Sequence, residues 1–169
     1  MRVLGILAVI GACLSVSVIL ILFRKQEIRC LDGLVCGIRA MRAELSTRLC
    51  PMDELLMIAS ERAGKESSVF FQQVRESLTD LNTQSFAELW TEASRFYLPI
   101  LSEENRQQLE ALGAMLGRYS LDEQLAACDS YLRQSEERLQ IERGRYPEQR
   151  KLYLVLSAAA GTYLCLLIL

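Results

Sequence analysis

Uninterrupted apolar runs stand at the two ends of the chain. No charged side chain occurs within residues 3–23 or within residues 152–169, whereas charged side chains recur throughout the stretch between them. As a helix, the first run is about 31 Å long, which matches the hydrocarbon core of a bilayer at roughly 30 Å. We therefore predict transmembrane spans at residues 1–23 and 152–169, flanking a soluble part at residues 24–151.

The basic residues beside these runs predict the orientation of the chain. Only Arg2 lies on the outer side of a span, and all the others lie on the inner side: Arg24, Lys25, Arg29, Arg143, Arg145, Arg150 and Lys151. Because positively charged flanks stay in the cytoplasm, we expect the soluble part to be cytoplasmic. Both termini should then lie across the cell membrane.

The first run also contains a short lipoprotein-like motif. Cleavage before Cys13 in the sequence Ile10-Gly11-Ala12-Cys13 would leave a lipid-anchored cysteine and an extracytoplasmic domain. Against this alternative, the apolar run continues past Cys13, and the segment before Cys13 is short for a signal peptide. The alternative predicts lipid on Cys13, whereas a retained span predicts none.

Between the spans, apolar residues recur at steps of three and four, which places them on one face of a helix. Pro51 and Pro99 interrupt this pattern, and Gly64 suits a helix end. Ser85 and Ser120 each precede a glutamate by three residues, as capping boxes do. No segment alternates as a strand would. We therefore predict an all-α, membrane-tethered bundle of about six helices, whose first and last helices continue into the bilayer.

Individual helices carry more specific predictions. The helix at residues 26–49 should continue the first span, and Ser102 can cap the helix that follows Pro99. The last helix should kink or restart at Pro147, because proline removes a backbone donor and clashes with the preceding turn. Residues predicted to share the apolar face of the helix at 66–82 are Val69, Phe70, Val74, Leu78 and Leu81. In the last helix they are Leu121, Leu125, Cys128, Leu132 and Leu139, with Ser135 at an apolar position.

Aromatic and small residues predict where helices pack. Trp90 should anchor the core, together with three residues of the same helix: Phe86, Leu89 and Phe96. Gly113 and Gly117 lie one turn apart, and glycine inside a helix costs about 1 kcal/mol, so we expect another helix to approach closely there. The alternative is that Gly117 simply ends its helix. In the second span, Ser157 and Gly161 have the spacing that lets helices approach in lipid.

The amino-acid composition excludes most common types of catalytic site. The chain has no histidine, a net charge of −2 and six cysteines without CxxC spacing. Histidine-based triads, histidine bases and histidine-ligated zinc are therefore excluded, and no basic excess favours nucleic acid. The sequence around Gly64-Lys65 lacks the first glycine and the Ser/Thr of a phosphate loop. We expect no enzyme activity, cofactor, metal, nucleic-acid partner or small-molecule substrate.

Several blocks along the whole chain form a recognisable pattern. They are Glu44-Leu45 and Pro51 after the first span and its helix, Phe86-Ala-Glu-Leu-Trp90, Leu112-Gly-Ala-Met-Leu-Gly117 followed by Asp122-Glu123-Gln124, and Arg150-Lys151-Leu152-Tyr153. In this pattern the chain resembles the stage III sporulation protein AB family of endospore-forming bacteria. That family is similar to the helical cytoplasmic domains of type II secretion F proteins.

The resemblance implies a role in the channel complex between mother cell and forespore. The implied partners are the secretion-type ATPase of the same operon and other membrane proteins of that complex. The implied location is the mother-cell membrane around the forespore, and the implied function is that of a non-enzymatic platform subunit. Candidate residues for docking the ATPase lie on polar helix faces: Arg39, Arg42, Arg118 and Glu123.

Overall fold

Helices account for the regular structure in the described part of the chain. The computed structural model describes the backbone of residues 2–48, 50–78 and 84–168, and the side chains of residues 18–48, 50–78 and 84–144. The helices are α1 (Arg2–Thr47), α2 (Met52–Arg62), α3 (Lys65–Ser77), α4 (Phe86–Tyr97), α5 (Glu103–Met115) and α6 (Leu121–Ile168). The predicted all-α bundle of about six helices is therefore confirmed, apart from its membrane spans.

Local sequence explains how several helices begin. The carbonyl oxygen of Pro51 accepts the N–H groups of Glu54 and Leu55 in the first turn of α2, each at 3.1 Å. At α4 the predicted capping box is complete, because Ser85 Oγ accepts the N–H of Glu88 and the Ser85 N–H donates to Glu88 Oε2 at 2.7 Å. At α6 the Ser120 N–H donates to Glu123 Oε2 at 2.9 Å. These carboxylates satisfy backbone donors that no helical carbonyl reaches.

Gly64 lies at the end of α2 as predicted, and two other predicted features of helix ends differ from the structure. Gly64 follows the Ala63 C-cap of α2 with a φ of 25° and is also the N-cap of α3. Ser102 is the N-cap of α5, yet its side chain makes no capping hydrogen bond, and its N–H donates instead to Glu27 Oε1 at 3.2 Å. The predicted restart at Pro147 is wrong, because α6 is one helix through that residue. A proline in mid-helix removes one hydrogen bond without ending the helix here.

The chain divides into two compact units. Residues 26–139 form one unit, called here the folded unit, and residues 1–25 and 140–169 form the other, called the end unit. The core lies in the folded unit and draws on all six helices. Ser135 is buried on the core face of α6, where the helical pattern called for an apolar residue.

Two glycines allow α1 to pack closely inside the folded unit. A Cβ on Gly33 would lie 2.8 Å from Ser67 Oγ, and a Cβ on Gly37 would lie 2.7 Å from a ring carbon of Phe71 and 3.1 Å from the carbonyl oxygen of Ala59. Real Cβ atoms do not approach other atoms so closely, so α1 contacts α2 and α3 at a distance that only glycine permits. The sequence prediction missed this pair.

An aromatic cluster centred on Trp90 fills the interior. Its indole lies edge-on to Phe70, with ring centroids 4.8 Å apart, and the indole N–H donates to the carbonyl oxygen of Leu109 at 2.8 Å. A Cβ on Gly113 would lie 2.5 Å from Trp90 Cγ, so α5 rests on the indole face at that glycine. Gly117, in contrast, follows the end of α5 with a φ of 75°, a conformation that favours glycine.

Three residues predicted to lie on apolar faces are exposed instead. Phe96 is 74% exposed, Val69 44% and Leu121 37%. Phe96 follows Trp90 by six residues, which turns its side chain about 120° away from the indole around the helix. The prediction that Phe96 belongs to the aromatic cluster is therefore wrong. Leu81 lies outside the described residues.

No helix carries a long enough apolar stretch to cross a membrane within the residues whose side chains are described. Most of the two predicted spans, including Cys13, Ser157 and Gly161, lies outside those residues. The spans at residues 1–23 and 152–169 are therefore not supported by the described helices and stay predictions from the sequence.

Candidate functional site

The candidate docking residues of α1 lie against α6. Arg39 Nη2 donates to Glu136 Oε1 at 2.5 Å. Arg42 binds Asp129 with two parallel bonds, from Nε to Oδ1 at 2.7 Å and from Nη2 to Oδ2 at 3.0 Å. The structure therefore brings Arg39 and Arg42 together on one side of α1, where both hold it to α6. The sequence analysis had proposed both arginines for docking and had not predicted their partners on α6.

The side chains of these ion pairs are about half exposed to solvent, and the pairing shifts the pKa values of Asp129 and Arg39. The hydrogen bonds and charge of Arg42 lower the pKa of the Asp129 carboxyl below its ordinary value of 3.8. The hydrogen bond to Glu136 raises the pKa of Arg39. The Arg42–Asp129 pair is therefore ionised at neutral pH, but exposed ion pairs add little stability. Their larger effect is on geometry, because a forked guanidinium bond fixes the relative register of two helices.

The other two candidate residues lie around the turn between α5 and α6. Arg118 is exposed and follows Gly117, and Glu123 is exposed in the first turn of α6. Hydrogen bonds from Ser120 lower the pKa of the Glu123 carboxyl, so Glu123 caps its helix as an anion. Of the four candidate residues, Arg118 is the one whose side chain no described bond ties to the fold, and it gives the cleanest test of docking.

Further ion pairs, which the sequence analysis did not predict, connect α5 to its neighbours. Arg95 of α4 donates to Glu110 at 2.9 Å. Arg138 of α6 pairs with Glu104 and also donates to Asn105 Oδ1 at 3.2 Å. The partners are 15 to 34 residues apart in the chain, and no local spacing indicates such contacts.

The buried thiols are not suited to nucleophilic chemistry. Burial raises the pKa of Cys30 to about 11, although a hydrogen bond from Ser67 partly opposes the rise. Burial also raises the pKa of Cys128 to about 11. Both thiols are therefore protonated at neutral pH, and a thiol reacts only as its thiolate. Among the described residues, no group of three or more cysteine or acidic side chains is placed to hold a metal ion.

Comparison with known proteins identifies the family but no individual relative. The model of the family described as stage III sporulation protein AB matches residues 2–169. No curated protein matches the chain significantly, and neither does any solved structure. Since the match covers nearly the whole sequence, both long helices and the four short ones fall within it. The chain belongs to the stage III sporulation protein AB family.

Proposed function

We propose that the chain is a non-enzymatic platform subunit of the channel complex between mother cell and forespore. Its spans hold the folded unit at the mother-cell membrane, on the cytoplasmic side, and the folded unit docks the secretion-type ATPase of the same operon. Family membership supports a sporulation role. The placement at the channel rests on what the family resemblance implies, and the ATPase as partner rests on the family's similarity to type II secretion F proteins.

One observation carries the membrane part of this proposal. Just before the folded unit, α1 exposes five large apolar side chains in six positions, each 44–55% exposed: Val18, Ile19, Leu20, Leu22 and Phe23. Burying apolar surface is worth about 25 cal/mol per Å², so contiguous exposed side chains of this kind favour an apolar environment. Arg24 and Lys25 follow directly and are exposed, as the inner flank of a span would be.

The long helices make the folded unit suitable as a platform. The ion pairs Arg39–Glu136 and Arg42–Asp129 join α1 to α6, the two helices that continue into the end unit. The short helices α2 to α5 lie between them in sequence, and α3, α4 and α5 pack through the Trp90 cluster. A mechanical force that the docked partner exerts on the folded unit would therefore act on α1 and α6, the helices that continue toward both ends of the chain.

Co-purification tests the proposed partner. The tagged full chain would be solubilised from membranes of sporulating cells with mild detergent, beside an unrelated membrane protein with the same tag. We expect the ATPase of the operon with the chain and not with the control protein. Recovery of other channel-complex proteins without the ATPase would contradict docking while leaving a membrane scaffold. Recovery of the chain in the soluble fraction would contradict the membrane tether itself.

A further inference from the structure

A groove runs along the surface between α2 and α3. It has a volume of about 1090 Å³, and its apolar lining comes from Met52 and Met57 of α2 and Leu78 after α3. All three side chains are partly buried, so they form part of the groove surface and do not project singly into solvent. Grooves between two helices are a common receptor for a third, amphipathic helix.

Methionine suits such a groove for a physical reason. Its unbranched thioether side chain has several rotatable bonds, so it fits apolar surfaces of different shapes. Met57 lies in the middle of α2 and lines the groove without belonging to the buried core. Its position is therefore not explained by the packing of the folded unit.

The rim of the groove has a negative charge. Of the described residues, Asp53 and Glu61 of α2 and Glu76 of α3 line it, together with the guanidinium of Arg75, which gives these residues an excess of two negative charges. All four side chains are exposed. Complementary charge on a partner would steer it to this rim, and the sign disfavours anionic lipid headgroups.

We infer that the α2–α3 groove receives an amphipathic helix of the docked partner, with an apolar stripe flanked by lysine or arginine. The apolar stripe lies on Met52, Met57 and Leu78, and the basic residues face Glu61, Glu76 and Asp53. This inference rests on the proposed function, because the helix belongs to the protein that the platform docks. The residues that line this groove do not include the earlier docking candidates Arg39, Arg42, Arg118 and Glu123.

Charge reversal tests the groove with a matched control. The variant Glu61→Lys/Glu76→Lys changes the rim, and Glu92→Lys/Glu137→Lys makes the same change in charge at exposed positions of α4 and α6. Circular dichroism would establish that both full-length variants fold. Binding of the purified ATPase to each chain in detergent would then be measured. We expect at least about a tenfold loss for the rim variant, and less than twofold for the control.

The outcomes separate the inference from the proposed function. If the native chain binds the ATPase and both variants bind equally well, the groove is not the docking site, although docking stands. If the native chain does not bind the ATPase, both the groove inference and the proposed function are contradicted.

A photocrosslinker in place of Met57 then identifies the occupant in sporulating cells. A lysine- or arginine-rich helical segment of the ATPase supports the inference. An adduct with lipid or with a second copy of this chain, or no adduct at all, overturns it.

Discussion

Helix α1 contains two apolar stretches that behave in opposite ways. From Cys30 to Leu45 its large apolar side chains are buried, and Leu34 and Ile38 have no exposed surface. Between Val18 and Phe23, in the end unit, five of the six large apolar side chains are each about half exposed. Both stretches are helical and apolar, so helix formation alone does not distinguish them. The difference lies in what surrounds the helix.

In the folded unit, other helices of the same chain cover α1. Gly33 and Gly37 admit α2 and α3, and Arg39 and Arg42 bind α6. At residues 18–23 the described protein provides no comparable cover, and under the proposed function a bilayer would provide it. The two stretches of α1 thus differ in exposure rather than in hydrophobicity.

A matched pair of leucine substitutions gives the largest expected contrast. Leu34→Ala removes a side chain with 0% exposure and should lower the free energy of unfolding by about 2–5 kcal/mol, because it leaves a cavity. Leu22→Ala, at 53% exposure, should change it by less than about 0.5 kcal/mol. Denaturant titration of the full chain in detergent, followed by the fluorescence of Trp90, measures both. Equal losses would show that the end unit packs as a protein core does.

A pair of glycine substitutions should change stability in opposite directions. Gly37→Ala gains helix propensity but drives a methyl group into Phe71 and the Ala59 carbonyl, for a net loss of about 1–2 kcal/mol. Gly144→Ala, in the α6 portion of the end unit, meets no atom within 4 Å and should stabilise its helix by up to about 1 kcal/mol.

Denaturant titration measures how Gly37→Ala changes the free energy of unfolding. Hydrogen exchange around residue 144 measures how Gly144→Ala changes the local stability of α6. A more stable Gly37→Ala variant would mean that α1 does not approach α2 and α3 as closely as described.

The smallest effect concerns the pH dependence of the contact between α1 and α6. Because Arg42 lowers the pKa of Asp129 in the folded state, the pair stabilises the fold above the ordinary pKa of 3.8, and this contribution is lost as the pH falls through the lowered value. Arg42→Gln should therefore flatten the decline in stability between about pH 5 and pH 3.

The matched control is Arg118→Gln, which leaves Asp129 paired. Urea midpoints across this pH range compare the two variants with the native chain. Identical pH profiles for Arg42→Gln and the native chain would mean that the pair is not formed in solution.

The sequence predicted most of the helices because their signals are local. Apolar spacing, Pro51 and the Ser85–Glu88 capping box act within one or two turns of chain. Close packing was harder to predict, because Gly33/Gly37 and Gly113/Gly117 have the same spacing. Only the neighbours decide that the first pair lies in mid-helix against other helices, whereas Gly117 ends α5.

The docking candidates show the same limit. Exposed arginines on a helix suggest a binding face, but Arg39 and Arg42 are already bound to Glu136 and Asp129, which lie 97 and 87 residues further along the chain. No pattern within one helix could have indicated those partners. Variants at these two positions therefore alter the fold's own contacts as well as any docking.

Thiol labelling of intact cells tests most directly whether the folded unit is held at the cytoplasmic side of a membrane. The native cysteines other than Cys13 would be replaced, and one cysteine introduced by Glu137→Cys, an exposed position on α6. Cells stripped of their wall would be treated with a membrane-impermeant reagent, before and after lysis, with the chain that retains only Cys13 as background. The proposed function predicts labelling only after lysis. Labelling of intact cells would place the folded unit outside, exclude the ATPase as a direct partner, and favour a lipid anchor at Cys13.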